Sequence, residues 1–435
     1  MNKKTILFTG FMLFSLFFGA GNLIFPPFVG YESGDAFVPA ITGFTITAVL
    51  LPLMAVVATT LSKDGLLSIT GRVGPIFGVV FAVILYMSIG PFFAIPRAAN
   101  IGYEFGWAPI IGANGLQLFI FSILFFAVTY IVSVRPQKIV DIVGKWLTPA
   151  LLITLALLFI QAVRNFTYEP APVAEAYQSA PFLKGFIEGY FTLDAIAALA
   201  FGIVVVETLK MAGVTERKDL VRGTSSAGVI AAIGLTLVYL AIGWIGRVMP
   251  FEEEPANGSD LLVSASMQLF GTAGHYLFGI IVLLACLTTV IGLITACSQF
   301  FTRLYPRVSY NVYVIIFIAI GFFFTNFGLD VLLSVALPLL VFIYPAAIML
   351  IMLALLQPAI GYSRSMYRWS VSVAVLFGIY DALGALEVSV DFINPLISWI
   401  PLFNHGLAWI TPAVIAAIIG YMFDRAQNNV SKEVI

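Results

Sequence analysis

The chain has 435 residues, 61% of them hydrophobic and 10% charged, with a mean hydropathy of +1.04 and a net charge of −1. A soluble domain of that size needs far more polar surface, and a near-neutral chain offers no basic face to nucleic acid and none to an acidic partner. Long continuous apolar runs, in place of short alternating ones, exclude a transmembrane β-barrel and point to an all-α polytopic membrane protein.

A window of about 20 apolar residues predicts twelve spans, at 6–29, 37–61, 76–105, 115–133, 140–163, 185–209, 222–246, 262–302, 309–326, 331–356, 367–386 and 406–423. Met1-Asn2-Lys3-Lys4 and the apolar residues after it have the start of a signal peptide, but the apolar run continues to Pro26-Pro27. A signal peptide has a shorter apolar core followed by a small-residue cleavage site, so the segment is read as a retained first span.

Charge supports the count. With the N-terminus inside, the cytoplasmic segments hold seventeen Lys and Arg, among them Lys3, Lys4, Lys63, Lys138 and Lys432, against three outside, Arg164, Lys184 and Arg247. That bias follows the positive-inside rule and would vanish if one span were missed. Both termini are therefore expected in the cytoplasm. The outer loops are acidic, and the Glu252-Glu253-Glu254 run is read as a solvated loop rather than a cation-attracting vestibule.

The first span carries Phe17-Phe18-Gly19-Ala20-Gly21-Asn22-Leu23-Ile24-Phe25-Pro26-Pro27. Glycine and asparagine weaken a helix at membrane depth, where bare backbone is tolerated only against protein or a cavity. Such an interruption points to a transporter's binding site. Amides near Ala20, Gly21 and Asn22 suit a substrate carboxylate, and carbonyls near Phe17 and Phe18 suit a cation or an ammonium group. The plain alternative is a close-packing face of small residues.

The third span is too long for one simple crossing and is expected to bend at Gly90-Pro91 or Pro96. Arg97 is read as sitting at the outer end of this tilted span, with a gating role as the alternative. The outer connection 164–184, with Pro170, Pro172 and Pro181, divides the chain. The sixth span then carries Tyr190-Phe191-Thr192-Leu193-Asp194, with an ionisable residue at membrane depth that marks a functional site. The first and sixth spans open two successive sets of five. Five is odd, so the sets have opposite orientation, as in an inverted repeat. The predicted units are 1–163, the connection 164–184, a second set 185–357, and two added spans with a tail, 358–435.

The eighth span is expected to begin with an interfacial segment and to cross from about Tyr276. It carries Ala285, Thr288 and Thr289, related by i, i+3 and i+4 and so facing one way. Two hydroxyls and a freed carbonyl there, with two carbonyls of the first span, make a neutral five-oxygen Na⁺ site. Alternatively, intramembrane threonines bond their own helix backbone. Cys286 and Cys297 on the same helix are about 16 Å apart at ~1.5 Å per residue, too far to bridge. Glu207 and Lys210 are read as snorkelling, Asp381 as structural, and His275 and His405 as no metal pair.

The Phe18–Pro27 motif, Thr192-Leu193-Asp194-Ala195 and Pro96-Arg97-Ala98-Ala99 together resemble the bacterial branched-chain amino acid carriers, the BrnQ or LIVCS family of the amino acid–polyamine–cation superfamily. The resemblance covers the whole chain. It implies a LeuT-type five-plus-five inverted repeat with broken helices 1 and 6, located in the bacterial cell membrane. It also implies import of leucine, isoleucine and valine with Na⁺ or, in some members, H⁺.

The resemblance places the substrate carboxylate at Ala20 and Gly21 within Gly19-Ala20-Gly21-Asn22, and the amine at the carbonyls of Phe191-Thr192-Leu193. It makes Phe201 an aromatic wall of the side-chain pocket. Backbone carbonyls of Ser15 and Phe18 join Ala285, Thr288 and Thr289 at the sodium site. Asp194 stands where the LeuT group has a serine, and could pair with the substrate ammonium, bind a cation or carry a coupled proton. No tyrosine of the third span aligns with the group's substrate wall: Tyr86 is one candidate, and 90–93 is the other.

The expected activity is cation-coupled symport by alternating access, with an H⁺-coupled carrier of branched-chain or other neutral amino acids, using Asp194, as the alternative. An enzyme is disfavoured because no nucleophile–base pair and no histidine cluster is present, and a channel is the other rival class. The expected partners are the bilayer and the three amino acids, with no obligate protein partner.

Overall fold

The computed structural model describes residues 3–62, 65–135, 145–146, 148–166, 169–250, 255, 258–390 and 392–431. Lys63, Lys138, Lys432 and the Glu252–Glu254 run lie outside the described residues, as does the His275 side chain. The helices begin with α1 Lys3–Phe17, α2 Ala20–Ser33, α3 Phe37–Thr45, α4 Leu51–Thr60, α5 Leu66–Gly71, α6 Pro75–Met87 and α7 Ala94–Gly106. They continue with α8 Ala108–Ile111, α9 Gly115–Ser133, α10 Thr148–Asn165, α11 Glu175–Gln178, α12 Pro181–Glu188, α13 Asp194–Met211 and α14 Arg217–Val248. The remainder are α15 Gly258–Phe270, α16 Thr272–Leu304, α17 Tyr310–Thr325, α18 Leu329–Ile360, α19 Arg364–Ala385, α20 Asn394–Ile397 and α21 Ile410–Ala426. The described residues hold no strand, only an isolated bridge between Tyr362 and Ser431.

Among the described residues, seven helical runs are long and apolar enough to cross a membrane, or eight if the bent pair Pro181–Thr192 and Asp194–Met211 counts as one. Two of them, Ala20–Thr60 and Pro75–Ile111, hold 41 and 37 residues. At ~1.5 Å per residue each outruns the ~30 Å hydrocarbon core, so neither is one straight crossing. Large apolar side chains left exposed on α10 (Ile153, Leu157, Ile160) and α21 (Ile415, Ile418, Ile419) suit a lipid-facing surface.

The interruption in the third predicted span falls at its glycine and proline. A π-helical stretch, Ser88–Phe92, follows α6, and Gly90 within it leaves helical geometry at φ −93°, ψ −126°. Pro91 brings no N–H to this stretch, and the Tyr86 carbonyl accepts from the Cys297 thiol at 3.4 Å instead. Both cysteines are buried and free. In the eighth predicted span, Gly271 at φ 62° separates α15 from α16. The crossing helix therefore starts at Thr272, slightly before the expected Tyr276.

The core is built on α1, α2, α13, α14 and α16, which pack against one another. Gly30 lets α2 lie directly on α14: a Cβ there would stand 1.9 Å from the Gly243 carbonyl oxygen.

Candidate functional site

Helix α1 ends at Phe17 and α2 begins at Ala20, with Phe18 and Gly19 between them. Gly19 is the extended N-cap residue of α2, at φ −117° and ψ −159°, and no side chain caps the helix start. The first amides of α2 are thus left without an intrahelical partner. Gly19 also allows a close approach, since a Cβ on it would meet Thr289 Oγ1 at 2.8 Å.

The second interruption lies between α12 and α13. A 3₁₀ turn, Gly189–Thr192, ends at Leu193, which takes left-handed backbone at φ 71°. That conformation costs a non-glycine residue roughly 1–2 kcal/mol. Local bonds hold it: the Thr192 hydroxyl donates to the Gly189 carbonyl at 2.9 Å, and the Tyr344 hydroxyl donates to the Tyr190 carbonyl. The flanking helices bend by 44°.

The two interruptions meet through side chains. Asn22 Nδ2 shares its two N–H groups among Asp194 Oδ2 at 2.7 Å, the Phe17 carbonyl at 3.0 Å and the Tyr239 hydroxyl. The Tyr239 hydroxyl in turn donates to Asp194 Oδ2 at 3.1 Å. Asn22 therefore satisfies the end of α1 and grips the first residue of α13 at once. Asn22 and Asp194 are both buried. Tyr239, on α14, was not singled out from the sequence. Its ring packs against Phe18 and Phe44, and an aromatic on a long apolar helix carries no sequence signal that its hydroxyl faces a carboxylate.

A cavity of about 30 Å³ lies between the breaks. Gly19, Ala20, Gly21, Asn22, Thr192 and Asp194 line it, together with Thr289. Its apolar wall comes from Leu16, Phe17, Ile89, Ala94, Ala98 and Leu293. The third span faces it through Ile89, Ala94, Arg97 and Ala98, which flank the candidate stretch 90–93 without including any of it. Tyr86 lies elsewhere, stacked on Phe300 at a ring distance of 4.0 Å. Phe191 and Phe201 are not on the cavity wall. Phe191 stacks on Phe25, and fully buried Phe201 stands behind Phe17 with ring centroids 5.7 Å apart.

Arg97 does not sit at an outer helix end. It is 8% exposed and lines the same cavity. The bend at Gly90-Pro91 brings α7 inward and carries Arg97 with it. Hydropathy alone does not give the direction of such a bend.

A second cluster joins α1 to α16. The Thr288 hydroxyl shares its one hydrogen between the Ser15 carbonyl at 3.1 Å and the Ala285 carbonyl at 3.0 Å. The Thr289 hydroxyl reaches the Leu16 carbonyl at 3.1 Å and the Ser15 carbonyl at 3.5 Å. Ser15, Ala285, Thr288 and Thr289 are thereby brought together. Phe18 follows directly, its amide donating to the Phe14 carbonyl at 2.8 Å. The donors are neutral oxygens, the chemistry a hard cation takes. Among the described residues no group of three or more His, Cys, Asp or Glu could hold a metal.

Glu207 does more than snorkel. Its Oε1 pairs with Arg303 at 2.5 Å, linking α13 to α16, and with Lys210 at 3.3 Å. A larger cavity of about 460 Å³ opens beside these pairs, lined by Thr59, Tyr86, Gly202, Lys210, Arg217 and Arg303 among others. Asp381 and His405 face a separate, largely apolar cavity of about 350 Å³ that also touches Phe191 and Leu193.

The family model described as branched-chain amino acid transport protein matches residues 2–427. The branched-chain amino acid permease BrnQ of Corynebacterium glutamicum is 42% identical over 441 residues, covering 100% of both chains. BrnQ of Bacillus subtilis is also 42% identical over 441 residues, covering 99% of this chain and 100% of its own. Both relatives are named as permeases, not as enzymes. The crystal structure of MhsT in complex with L-phenylalanine superposes with a TM-score of 0.52 at 17% identity, over 95% of this chain and 97% of that one, so the two share a fold. With a family match across nearly its whole length and such identity end to end, the chain belongs to the branched-chain amino acid transport protein family.

Proposed function

We propose that this protein is a secondary carrier importing leucine, isoleucine and valine together with Na⁺, by alternating access across the bacterial cell membrane. The observation that carries the reading is the convergence of two chain interruptions, at Phe18-Gly19 and at Leu193, on one cavity. Discontinuous helices facing each other are how transporters build substrate sites. The relatives' names supply the substrate class. The cavity adds a fitting chemistry, lined by helix-start backbone, two charged side chains and aliphatic residues.

In this reading the chain crosses the membrane twelve times with both termini in the cytoplasm. Residues 1–163 and 185–357 form two inverted five-helix repeats, 164–184 connects them outside, and 358–435 adds two helices and a tail. The helical runs of 41 and 37 residues accommodate extra crossings or bends. Amides of Ala20, Gly21 and Asn22 take the substrate carboxylate. Asp194 and the carbonyl of Thr192 take the ammonium group. Phe201 supports the apolar wall from behind Phe17.

The cation is carried as cargo. Ser15, Phe18 and Ala285 offer carbonyls, and Thr288 and Thr289 offer hydroxyls whose lone pairs suit Na⁺ once the hydroxyls turn. A cation there holds α1 against α16, which favours one packing of the broken helix over another. A 30 Å³ space admits a water or two but no leucine. Transport therefore requires the breaks to separate, and the 460 Å³ cavity is the path toward the cytoplasm.

A second reading couples transport to H⁺. It is favoured by the burial of Asp194 and its hydrogen bonds to Asn22 and Tyr239, without a cationic side chain in ion-pair contact among the described residues. Binding of labelled isoleucine to the purified protein tests the main reading. Leucine and valine should displace it, glutamate should not, and Na⁺ should tighten it. Absence of specific isoleucine binding in Na⁺ or at acidic pH would contradict it.

A further inference from the structure

We propose that Arg97 binds the carboxylate of the transported amino acid, sharing it with the uncapped amides at the start of α2. The inference rests on the amino acid carrier reading above and assigns the recognition of one end of the substrate.

The Arg97 guanidinium is buried, yet the protein gives it little to hold. Its only side-chain hydrogen bond among the described residues runs from Nη1 to the Phe191 carbonyl at 3.5 Å. One face lies over the Phe93 ring, 5.4 Å from its centroid. None of the ion pairs among the described residues includes it. A guanidinium is always charged and presents a planar fork of N–H donors that matches a carboxylate. Burying one with no carboxylate in ion-pair contact is unfavourable, since Asp194 acts on it only as a nearby charge, and an ionisable side chain inside a membrane protein usually marks a substrate path.

Its position names the anion. Arg97 lines the same cavity as Gly19, Ala20, Gly21 and Asn22, where α2 presents its first amides. Gly21 is what allows the approach: a Cβ on it would stand 2.6 Å from Arg97 Nη2. Any other residue at 21 pushes the guanidinium away from the helix start. Asp194 borders the same cavity, and its Oδ2 already accepts from Asn22 and Tyr239. The cavity thus has a cationic pole and an anionic pole. A zwitterionic amino acid carries both a carboxylate and an ammonium group, and its alkyl side chain then meets Ile89, Ala94, Ala98 and Leu293.

The rival role is purely internal, with Arg97 balancing the charge of Asp194 and touching no substrate. The two roles differ in what they do to a ligand without a carboxylate. Dissociation constants of L-isoleucine and L-isoleucinamide are measured by calorimetry on the purified full-length chain, as wild type and as Arg97→Gln. The proposal predicts that Arg97→Gln weakens isoleucine by roughly 100-fold while changing isoleucinamide by less than about threefold. Equal weakening of both ligands, or undiminished isoleucine affinity, overturns it. Should Arg97→Gln not fold, as judged by gel filtration, Gly21→Ala tests the same point. Displacing the guanidinium must then cost isoleucine far more than isoleucinamide, and an equal loss overturns the proposal. If wild type binds neither ligand, the carrier reading fails and the inference with it. If wild type binds isoleucine but Arg97→Gln shows no carboxylate selectivity in its loss, only the inference fails.

Discussion

Asn22 donates to Asp194 across 172 residues of sequence, at 2.7 Å. This bond ties the first turn of α2 to the first residue of α13, so each interruption is held by the other. The Tyr239 hydroxyl, bonded to both, closes the triangle from α14.

Coupled residues are non-additive, and this pair is the place to look. Asn22→Ala and Asp194→Asn are each predicted to weaken isoleucine binding at least tenfold. The double variant is expected to lose less than the sum, with a coupling energy of about 1–3 kcal/mol. Isothermal titration of the four proteins measures it, and strict additivity would mean that the bond does not organise the site.

Tyr239→Phe removes one hydroxyl and keeps the ring that packs on Phe18 and Phe44. A hydrogen bond to a charged group contributes roughly 1.5–3 kcal/mol. Isoleucine uptake is therefore predicted to fall about tenfold or more, with expression and melting temperature near wild type. A variant that transports normally would remove Tyr239 from the mechanism.

The α1–α16 cluster predicts a separation of ion dependence from folding. Replacing Thr288 and Thr289 together with alanine deletes two of the neutral oxygens facing the Ser15 and Ala285 carbonyls. The Na⁺ concentration for half-maximal uptake should rise roughly tenfold, while the protein still elutes as a single folded species. An unshifted Na⁺ titration would place the cation elsewhere.

Gly30 supplies a control remote from the cavity. A Cβ at this position would lie 1.9 Å from the Gly243 carbonyl oxygen, and the backbone must yield. Gly30→Ala is predicted to destabilise by about 1–3 kcal/mol, as overpacking does. A thermal shift assay should show a lower melting temperature, and the surviving folded fraction should retain near-normal isoleucine affinity.

Much of this was legible in local chemistry. The helix breaks at Phe18-Gly19, at the head of the Gly19-Ala20-Gly21-Asn22 segment whose glycines and asparagine disfavour an unbroken helix, although Ala20 to Asn22 themselves begin α2. Gly90-Pro91 breaks another because proline brings no N–H and glycine tolerates non-helical backbone. Ala285, Thr288 and Thr289 follow from helical spacing, and the structure places the two threonine hydroxyls against α1, with the Ala285 carbonyl beside Thr288. Tertiary geometry was less legible. Nothing in the run around Arg97 tells which way α7 turns after its bend, and the residue reads equally well as an interfacial arginine. Tyr239 is one aromatic among many on a 32-residue helix. Phe191 and Phe201 sit one layer outside the cavity, a distinction of a few ångströms that spacing along a helix does not resolve.

The most direct test of the account is uptake of labelled isoleucine into proteoliposomes holding the purified protein. An inward Na⁺ gradient is imposed first, then an inward H⁺ gradient with no Na⁺. The account predicts accumulation above equilibrium with the Na⁺ gradient and little without Na⁺. Accumulation driven by H⁺ alone would contradict the sodium assignment and move coupling to Asp194, and no accumulation under either gradient would contradict the carrier reading itself.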